Sequence, residues 1–271
     1  MTARTAQPPA AQTLGDELRT WRRRRRMSQL DLALDAGVSQ RHLSCVESGR
    51  ASASRAMVLR LAECLDVPLR ERNVLLLAAG YAPVFPQRPL DDPALGPARR
   101  AVDLVLRGHE PYPALAVDRH WRMVAANGAV APLLAGIEEP ALLAPPVNVL
   151  RLSLHPRGLA PRIANLAEWR AHLLDRLHRQ IAATGDPVLA ELMRDLAAYP
   201  GPARPAGGPD GGGLVVPLEL ETEAGRLSFV STTTVFGTPM DVTLSELALE
   251  SFFPADARTA EALHRLAGTD P

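Results

Sequence analysis

Apolar residues recur at helical spacing in five short segments between positions 13 and 80. Leu14, Leu18 and Trp21 lie at i, i+4 and i+7 and predict the first helix. Ser28 and Ser39 are each placed to cap the helix that follows them, because a serine side chain accepts a hydrogen bond from the first turn. The N-terminal region is therefore predicted to be all helical.

The second predicted helix runs from about residue 29 to residue 36 and ends at Gly37. Its spacing predicts that Leu30, Ala33 and Leu34 point inward. The third helix follows Ser39 and ends near residue 49, with Leu43 and Val46 on one face and polar groups elsewhere. The fourth spans about residues 54–65 with its apolar positions inward, and the fifth ends at residue 80.

The pattern changes after residue 82. Five prolines between residues 82 and 97 predict a linker. The segments "PALAVD" and "WRMVAAN" then predict a β-hairpin around residues 118–120, and helical stretches are expected near 127–136, 140–151, 163–183 and 187–198. Residues 199–213 are rich in glycine and proline and predict a flexible loop.

The last third alternates in a way that favours strands. "GLVVPLELE", "GRLSFVSTTTVFG" and "MDVTLSELALESF" predict a three-stranded antiparallel meander, closed by a helix over residues 256–266. The fold class is therefore α+β with two domains. Residues 1–12 have no apolar core and predict a disordered tail rather than a signal peptide.

The charge of the chain is balanced overall but not along its length. Residues 1–72 hold 13 Arg against 8 acidic residues, a net charge of +5, and the rest carries −5. Such asymmetry indicates a nucleic-acid-facing part, although chance clustering of Arg22 to Arg26 also gives it. All basic residues are arginine, which excludes Walker-type, Schiff-base and kinase lysines.

The remaining composition indicates the cellular compartment and limits the classes of site that the chain can hold. Two cysteines do not make a disulfide framework, so a reducing cytoplasm is expected. No apolar run approaches the ~20 residues of a membrane span. The seven histidines show no metal-binding spacing, and no GxSxG motif occurs. We therefore expect no enzyme activity, no metal and no cofactor.

Two helices joined through Gly37 and Val38 have the arrangement of a helix-turn-helix. The third predicted helix then presents four polar residues at i, i+1, i+4 and i+5, namely Gln40, Arg41, Ser44 and Cys45. Such a face enters a DNA major groove, where Arg pairs with guanine and Gln with adenine. These four are the predicted base contacts.

The stretch "MSQLDLALDAGVSQRHLSCVESGR" resembles the lambda-repressor-like helix-turn-helix of xenobiotic-response-element-type bacterial regulators. The resemblance covers about 55 residues and implies a five-helix DNA-binding domain, here 13–81. It implies that Gln29 touches phosphate and positions its neighbours, and that Glu47 pairs with an arginine of the first helix. "ASAS" at residues 51–54 departs from the family, which often has proline there.

Phosphate contacts are expected around this helix. The predicted set is Arg22, Arg25, Gln29, Ser39, His42 and Arg50. The alternative for the arginine run is a solvated face beside a helix C-terminus, where cations are favoured. Cys45 as a redox switch lacks an evident partner, because Cys64 is expected to pack in the core.

The second region resembles the PAS-like ligand-binding domain of MmyB-like transcription regulators. The resemblance rests on "YPALAVDRHWRMVAANGAVAPLL", "LHPRGLAPRIANLAEWRAHLL" and "FVSTTTVFGTPMDVTLSELALESFFPAD". It implies a domain at 99–267, after a linker at 82–98, with five antiparallel strands, helices on one side and a cavity for a fatty-acid-like molecule. Asn127 is expected to cap a helix.

A ligand with an acidic end needs cations or donors near it. The candidate ligand contacts are His155, Arg162, Asn165 and Trp169, although Trp169 also has the spacing of a core residue. The predicted function is a homodimeric regulator that binds a double-stranded DNA operator and senses a hydrophobic effector. The alternatives are a protein-interaction adaptor and an enzyme hidden in the second domain.

Overall fold

The computed structural model describes residues 13–202 and 215–268. The described chain divides into two compact units. Unit 1 contains the described residues up to Gln87 together with Met240–Val242, and unit 2 contains the others. The predicted tail, 1–12, and residues 203–213 of the predicted loop lie outside the described residues. Within the described ranges, no helix combines the length and the apolar character needed to cross a membrane.

Five helices lie within residues 13–87: α1 (Leu14–Arg24), α2 (Gln29–Asp35), α3 (Gln40–Glu47), α4 (Arg55–Cys64) and α5 (Leu69–Ala78). The predicted caps are confirmed, because the side chains of Ser28 and Ser39 accept hydrogen bonds from the first turns of α2 and α3. Ser28 also donates its backbone N–H to Asp31, which completes a capping box. The five segments of the sequence pattern are therefore five helices.

The core of unit 1 confirms most of the predicted inward positions, including Ala33 of α2, but not Leu30 and Leu34. Leu30 and Leu34 are 49% and 70% exposed, whereas Leu32, Ala33 and Ala36 are buried. Two overlapping stripes share Ala33 on this seven-residue helix, and so short a helix does not let spacing alone choose between them. Packing against α3 and α4 selects the stripe that contains Leu32.

Two glycines fix the geometry around α3. Gly37 has φ +63° in the turn before α3, a conformation that costs glycine little. Gly15 of α1 lies against the C-terminal end of α3, where a Cβ atom would come within 2.3 Å of the backbone oxygen of Glu47. The absence of a side chain at Gly15 therefore allows α1 and α3 to approach at backbone distance.

Unit 2 is built on one antiparallel sheet in the order β2-β1-β5-β4-β3. Its strands are β1 (Ala114–Val117), β2 (Met123–Ala126), β3 (Leu218–Thr222), β4 (Gly225–Val235) and β5 (Ala248–Pro254). Its helices are α6 (Gly96–Gly108), α7 (Val149–Leu154), α8 (Leu166–Thr184), α9 (Pro187–Ala198) and α11 (Ala257–Leu266), and α10 (Val242–Ser245) precedes β5. The predicted hairpin, meander and closing helix are confirmed.

Helices cover both faces of this sheet. Leu115, Leu220 and Phe229 face a large core shared with α7, α8 and α9. Their neighbours Ala114, Ala116 and Leu249 alternate to the opposite face and pack against α6. The expectation of helices on one side is therefore wrong for α6.

The segment after β2 also departs from the expected helix. Residues 127–136 form only a 3₁₀ turn at Ala131–Leu134. Asn127 is buried and does not cap a helix. Its amide donates to the backbone oxygens of Leu106 and Tyr112, and its carbonyl accepts from the N–H of Ala114. The side chain pairs backbone groups that would otherwise be buried without partners.

Candidate nucleic-acid interface and apolar cavity

The polar face of α3 is held outward by two buried anchors. Leu43 and Val46 are 1% and 2% exposed and face the core of unit 1. Gln40 and Arg41, in the first turn, are exposed, and Ser44 and Cys45 are half-buried. The structure thus brings the four predicted base contacts together on one short helix.

Glu47 closes the C-terminal end of α3 with a buried network. Its carboxylate accepts hydrogen bonds from Arg22 Nε at 2.7 Å, Arg22 Nη2 at 2.9 Å and Gln29 Nε2 at 2.8 Å. Arg19 of α1 donates to the backbone oxygen of Glu47 at 2.6 Å. The expected pairing of Glu47 with an arginine of α1 is therefore confirmed, and it ties α3 to both preceding helices.

The network keeps both charges ionised. Burial alone would raise the pKa of Glu47, but hydrogen bonds from Arg22 and Gln29 and the charges of Arg22 and Arg19 outweigh it and hold that pKa below its usual value. The same hydrogen bond from Arg22 raises the pKa of Arg22, against the opposing effect of burial. Each group thus stabilises the charged form of the other.

Three of the predicted phosphate contacts lie in the framework of unit 1. Arg22 and Gln29 bond Glu47, and the Arg22 side chain is only 13% exposed. Arg25 donates to the backbone oxygens of Leu65 and Asp66 at 2.8 and 2.7 Å. The guanidinium groups of Arg22 and Arg25 therefore already have acceptors within the protein, and their contact with phosphate stays a prediction.

The other three predicted phosphate contacts lie on or beside α3. Ser39 caps the helix through the backbone N–H of His42 at 3.2 Å. His42 is half-buried, and Arg50 is exposed with its Nε donating to Ser48 at 2.9 Å. Residues Arg23 and Arg26 of the arginine run are also exposed.

Unit 2 contains an apolar cavity between the sheet and α7 and α8. Its volume is about 110 Å³. Most of its wall is aliphatic or aromatic, including Leu115, Met123, Trp169, Leu220 and Phe229. Among the described residues of this wall, the charged groups are Arg176 of α8 and Glu250 of β5.

Arg176 and Glu250 form a bidentate ion pair. Arg176 Nη1 lies 3.0 Å from Glu250 Oε2, and Nη2 lies 2.5 Å from Oε1. Thr233 accepts from Arg176 at 2.8 Å and donates to Glu250 at 3.1 Å. The guanidinium also lies over the ring of Trp121, 4.5 Å from its centroid. A charge pair whose carboxylate is buried and whose guanidinium is half-buried therefore forms one part of an otherwise apolar wall.

Of the four predicted ligand contacts, Trp169 lines the cavity. Its indole N–H donates to Ser153 at 3.0 Å. The guanidinium of Arg162 instead bonds three backbone oxygens, those of Leu133, Ala135 and Glu221.

The other two also make structural contacts. Asn165 pairs with the backbone oxygen of Pro217 and the N–H of Glu219, which anchors β3. His155 packs edge-on against Tyr199 at 5.0 Å. The wall formed by the described residues includes none of Arg162, Asn165 and His155.

Each of the two units matches the model of a known protein family. The model of the MmyB-like transcription regulator ligand binding domain matches residues 98–266, more than half of the chain. The chain belongs to the MmyB-like transcription regulators. A helix-turn-helix domain model matches residues 13–75 of the same regulator. A search of curated proteins found no match.

The two matches establish the general role of this MmyB-like regulator. It is a DNA-binding transcription regulator with a ligand-binding domain. Both matched families are regulator domains rather than enzymes. Among the described residues, no group of three or more histidine, cysteine or acidic side chains is arranged to hold a metal.

Sequence reasoning missed the charged pair of this MmyB-like domain. Glu250 stands inside the apolar stretch "ALESFF" of a predicted strand, and Arg176 stands between Leu173 and Leu177 on the apolar stripe of a predicted helix. A charged residue in either position indicates a buried partner. The sequence did not reveal that the two are partners, because 74 residues separate them.

Proposed function

We propose that this MmyB-like regulator reads a DNA operator through α3 and that unit 2 binds a small, mainly apolar effector. DNA reading by α3 is supported by the contrast between its two sides, one buried and the other polar and accessible. Leu43 and Val46 fix one side in the core, while Gln40 and Arg41 are exposed in the first turn. The N-terminal part of such a helix meets base edges in related motifs.

The proposed base contacts are Gln40, Arg41, Ser44 and Cys45. Arg41 offers the two parallel donors that guanine accepts in the major groove. Ser39, His42 and Arg50, at the two ends of α3, are the proposed phosphate contacts. Gln29 is proposed to contact phosphate while its amide holds Glu47, so that it also positions α3.

We propose that the active form is a homodimer. A dimer of this motif places two recognition helices about 34 Å apart on successive major grooves, which doubles the readable sequence. An effector then acts by binding one arrangement of the dimer more tightly than another, because equal affinity for both shifts nothing.

The proposed effector carries an aliphatic chain like that of a fatty acid. The cavity wall supports this, because aliphatic and aromatic side chains dominate it. Its volume of about 110 Å³ is smaller than the ~300–1,000 Å³ of pockets that hold drug-sized ligands. A chain of more than a few carbon atoms therefore requires the wall to move outward.

The test of operator binding is selection of DNA from a random-sequence pool by the full-length protein. We expect one sequence to be enriched. Arg41→Ala should weaken binding to it by about 1–3 kcal/mol and relax the preference at one base pair, with non-specific affinity unchanged. Selection of no sequence, or an Arg41→Ala variant with unaltered preference, contradicts the proposal.

A phosphate contact behaves differently and provides the contrast. Arg50→Ala should weaken binding to all sequences alike and reduce the salt-dependence slope by about 1. Arg194→Ala, which removes the same charge from an exposed position on α9, is the matched control and should leave affinity and slope unchanged. Affinity that does not depend on salt would favour the adaptor alternative instead.

A further inference from the structure

The charges in the cavity wall bear on the head group of the effector. Among the wall residues that the structure describes, Arg176 is the only basic one and Glu250 the only acidic one. Ser153 and Ser231 add hydroxyl groups. Any charged ligand would therefore have to interact with this one ion pair.

The pair is already neutralised. The Glu250 side chain is 5% exposed and that of Arg176 is 26% exposed, and two parallel hydrogen bonds join them. Thr233 bridges the same two groups. Because each charge has its counter-ion in direct contact, the wall presents no unpaired charge at this point.

A carboxylate ligand would meet unfavourable conditions here. It would place a second anion beside Glu250 with a single guanidinium to share, and it would lose its hydration in an apolar space. His172 stacks on Trp169 of the wall at 5.6 Å but offers no second cation. Burial, followed by the charges of Arg176 and Arg179, lowers the pKa of His172, so its ring is neutral at pH 7.

A cationic ligand is disfavoured in the same way. Arg176 would repel it, and the oxygens of Glu250 already accept three hydrogen bonds. A neutral oxygen faces neither problem. A guanidinium carries five N–H donors, and the bonds to Glu250 and Thr233 use three, so a hydroxyl or carbonyl oxygen can accept from another.

We propose that the cavity selects an uncharged aliphatic molecule with one hydroxyl or carbonyl group, in preference to the carboxylate or the amine of the same chain length. This inference rests on the proposed binding of an apolar effector by unit 2. It names the head group, and it identifies Glu250 as the residue that excludes acids.

The test compares three ligands that differ only in head group: 1-decanol, decanoate and decylamine. Each is titrated into the full-length protein at pH 7.5, where the acid and the amine are charged. Tryptophan fluorescence reports binding, because Trp121 and Trp169 both line the cavity, and native mass spectrometry gives the stoichiometry. We expect a Kd for 1-decanol at least tenfold below those of the other two.

Glu250→Gln sharpens the test. It leaves the charge of Arg176 unbalanced, so the ratio of decanoate to decanol affinity should rise at least tenfold. The double variant Arg176→Gln/Glu250→Gln removes both charges and should keep the preference for decanol. Glu219→Gln changes a carboxylate of β3 that pairs with Arg226 outside the cavity wall, and it should retain the original ratio.

The outcomes separate the two proposals. Decanoate binding as tightly as decanol would overturn the head-group inference and leave effector binding by unit 2 intact. An unchanged ratio in a folded Glu250→Gln variant would also overturn it. If Glu250→Gln does not fold, the wild-type ratio and the double variant decide. Failure of all three ligands to bind would overturn the proposed aliphatic effector itself.

Discussion

Each unit buries one glutamate against an arginine, and the two arrangements differ in what surrounds them. Glu47 of unit 1 has a side chain 1% exposed, bonded by Arg22 and Gln29. Glu250 of unit 2 is 5% exposed and bonded by Arg176 and Thr233. Glu47 is enclosed by three packed helices, whereas Glu250 borders an open cavity.

One kind of ion pair therefore supports two roles in this protein. Where packed groups surround the carboxylate, the pair fixes geometry, and Glu47 holds α3 at a set position relative to α1 and α2. Where one side of the pair is open, its charge balance determines which molecules can enter. Variants of Glu47 and of the residues around it can measure how much this buried pair stabilises unit 1.

The largest effect is expected from Glu47→Ala. It leaves Arg22 buried without its counter-ion, and removal of one partner from such a pair costs about 3–5 kcal/mol. The free energy of unfolding of unit 1 can be measured by urea titration with fluorotryptophan NMR. Trp21 reports on the core of unit 1, while Trp121 and Trp169 report on unit 2.

The matched control is Asp66→Asn. Asp66 also lies near an arginine, with Arg25 Nη2 at 4.0 Å, but its side chain is 95% exposed. Exposed pairs contribute little, so this change should cost under about 1 kcal/mol. Equal losses for Glu47→Ala and Asp66→Asn would show that the Glu47 pair does not stabilise unit 1 more than a surface pair.

Gly15 of α1 makes the close backbone contact with α3 at Glu47, and adding a side chain there should have the next largest effect. Gly15→Ala would bring a Cβ atom within 2.3 Å of the Glu47 backbone oxygen, so α1 and α3 must separate. Overpacking of this kind costs about 1–3 kcal/mol. The Trp21 resonance should report the loss in the same titration, with the unit 2 resonances unchanged.

Gly108→Ala tests whether any glycine-to-alanine change would do the same. Apart from the adjoining backbone of α6 itself, no atom of the described residues lies within 4 Å of the added Cβ at Gly108, the last residue of α6. Alanine is the better helix former, so this variant should be unchanged or more stable by up to about 1 kcal/mol. A Gly15→Ala variant as stable as the wild type would mean that α1 and α3 do not approach at backbone distance.

The contacts around Glu47 show which features of unit 1 can be predicted from the sequence. Helix caps such as Ser28 and Ser39 were predictable because they depend on residues three apart. Family resemblance implied that Glu47 pairs with an arginine of α1, and the structure identifies that arginine as Arg22. Leu30 and Leu34 were predicted wrongly because spacing on a seven-residue helix is ambiguous, and only packing against α3 and α4 settles it.

The residues that line the cavity were harder to predict from sequence. Glu250 faces Arg176 because Leu115 of β1 pairs with Glu250 in the sheet register. A shift of one residue would turn Glu250 to the opposite face, where α6 packs. Strand patterns do not determine register across strands distant in the chain. The predicted contacts Arg162 and Asn165 instead hold loops and β3 through backbone groups.

The smallest expected effect is the response of unit 1 to acid. Burial opposes ionisation of Glu47, but the bonds and charges of Arg22, Gln29 and Arg19 prevail and lower its pKa in the folded state. A group with a lowered pKa gives its stabilisation in full above the unfolded value, 4.5, and loses it as the pH falls through the folded value. Unit 1 should therefore lose stability below about pH 4.5.

The size of this loss is limited because burial offsets part of the shift, so it should be smaller than the cost of Glu47→Ala. Urea titrations at pH 3–7, followed through Trp21, give the slope. Glu47→Gln should reduce that slope without abolishing it, because Asp16 and Asp31 also have lowered pKa values from hydrogen bonds to Thr13 and Ser28. A slope unchanged in Glu47→Gln would mean that the α1–α3 network contributes nothing to acid sensitivity, and that the capping aspartates account for it.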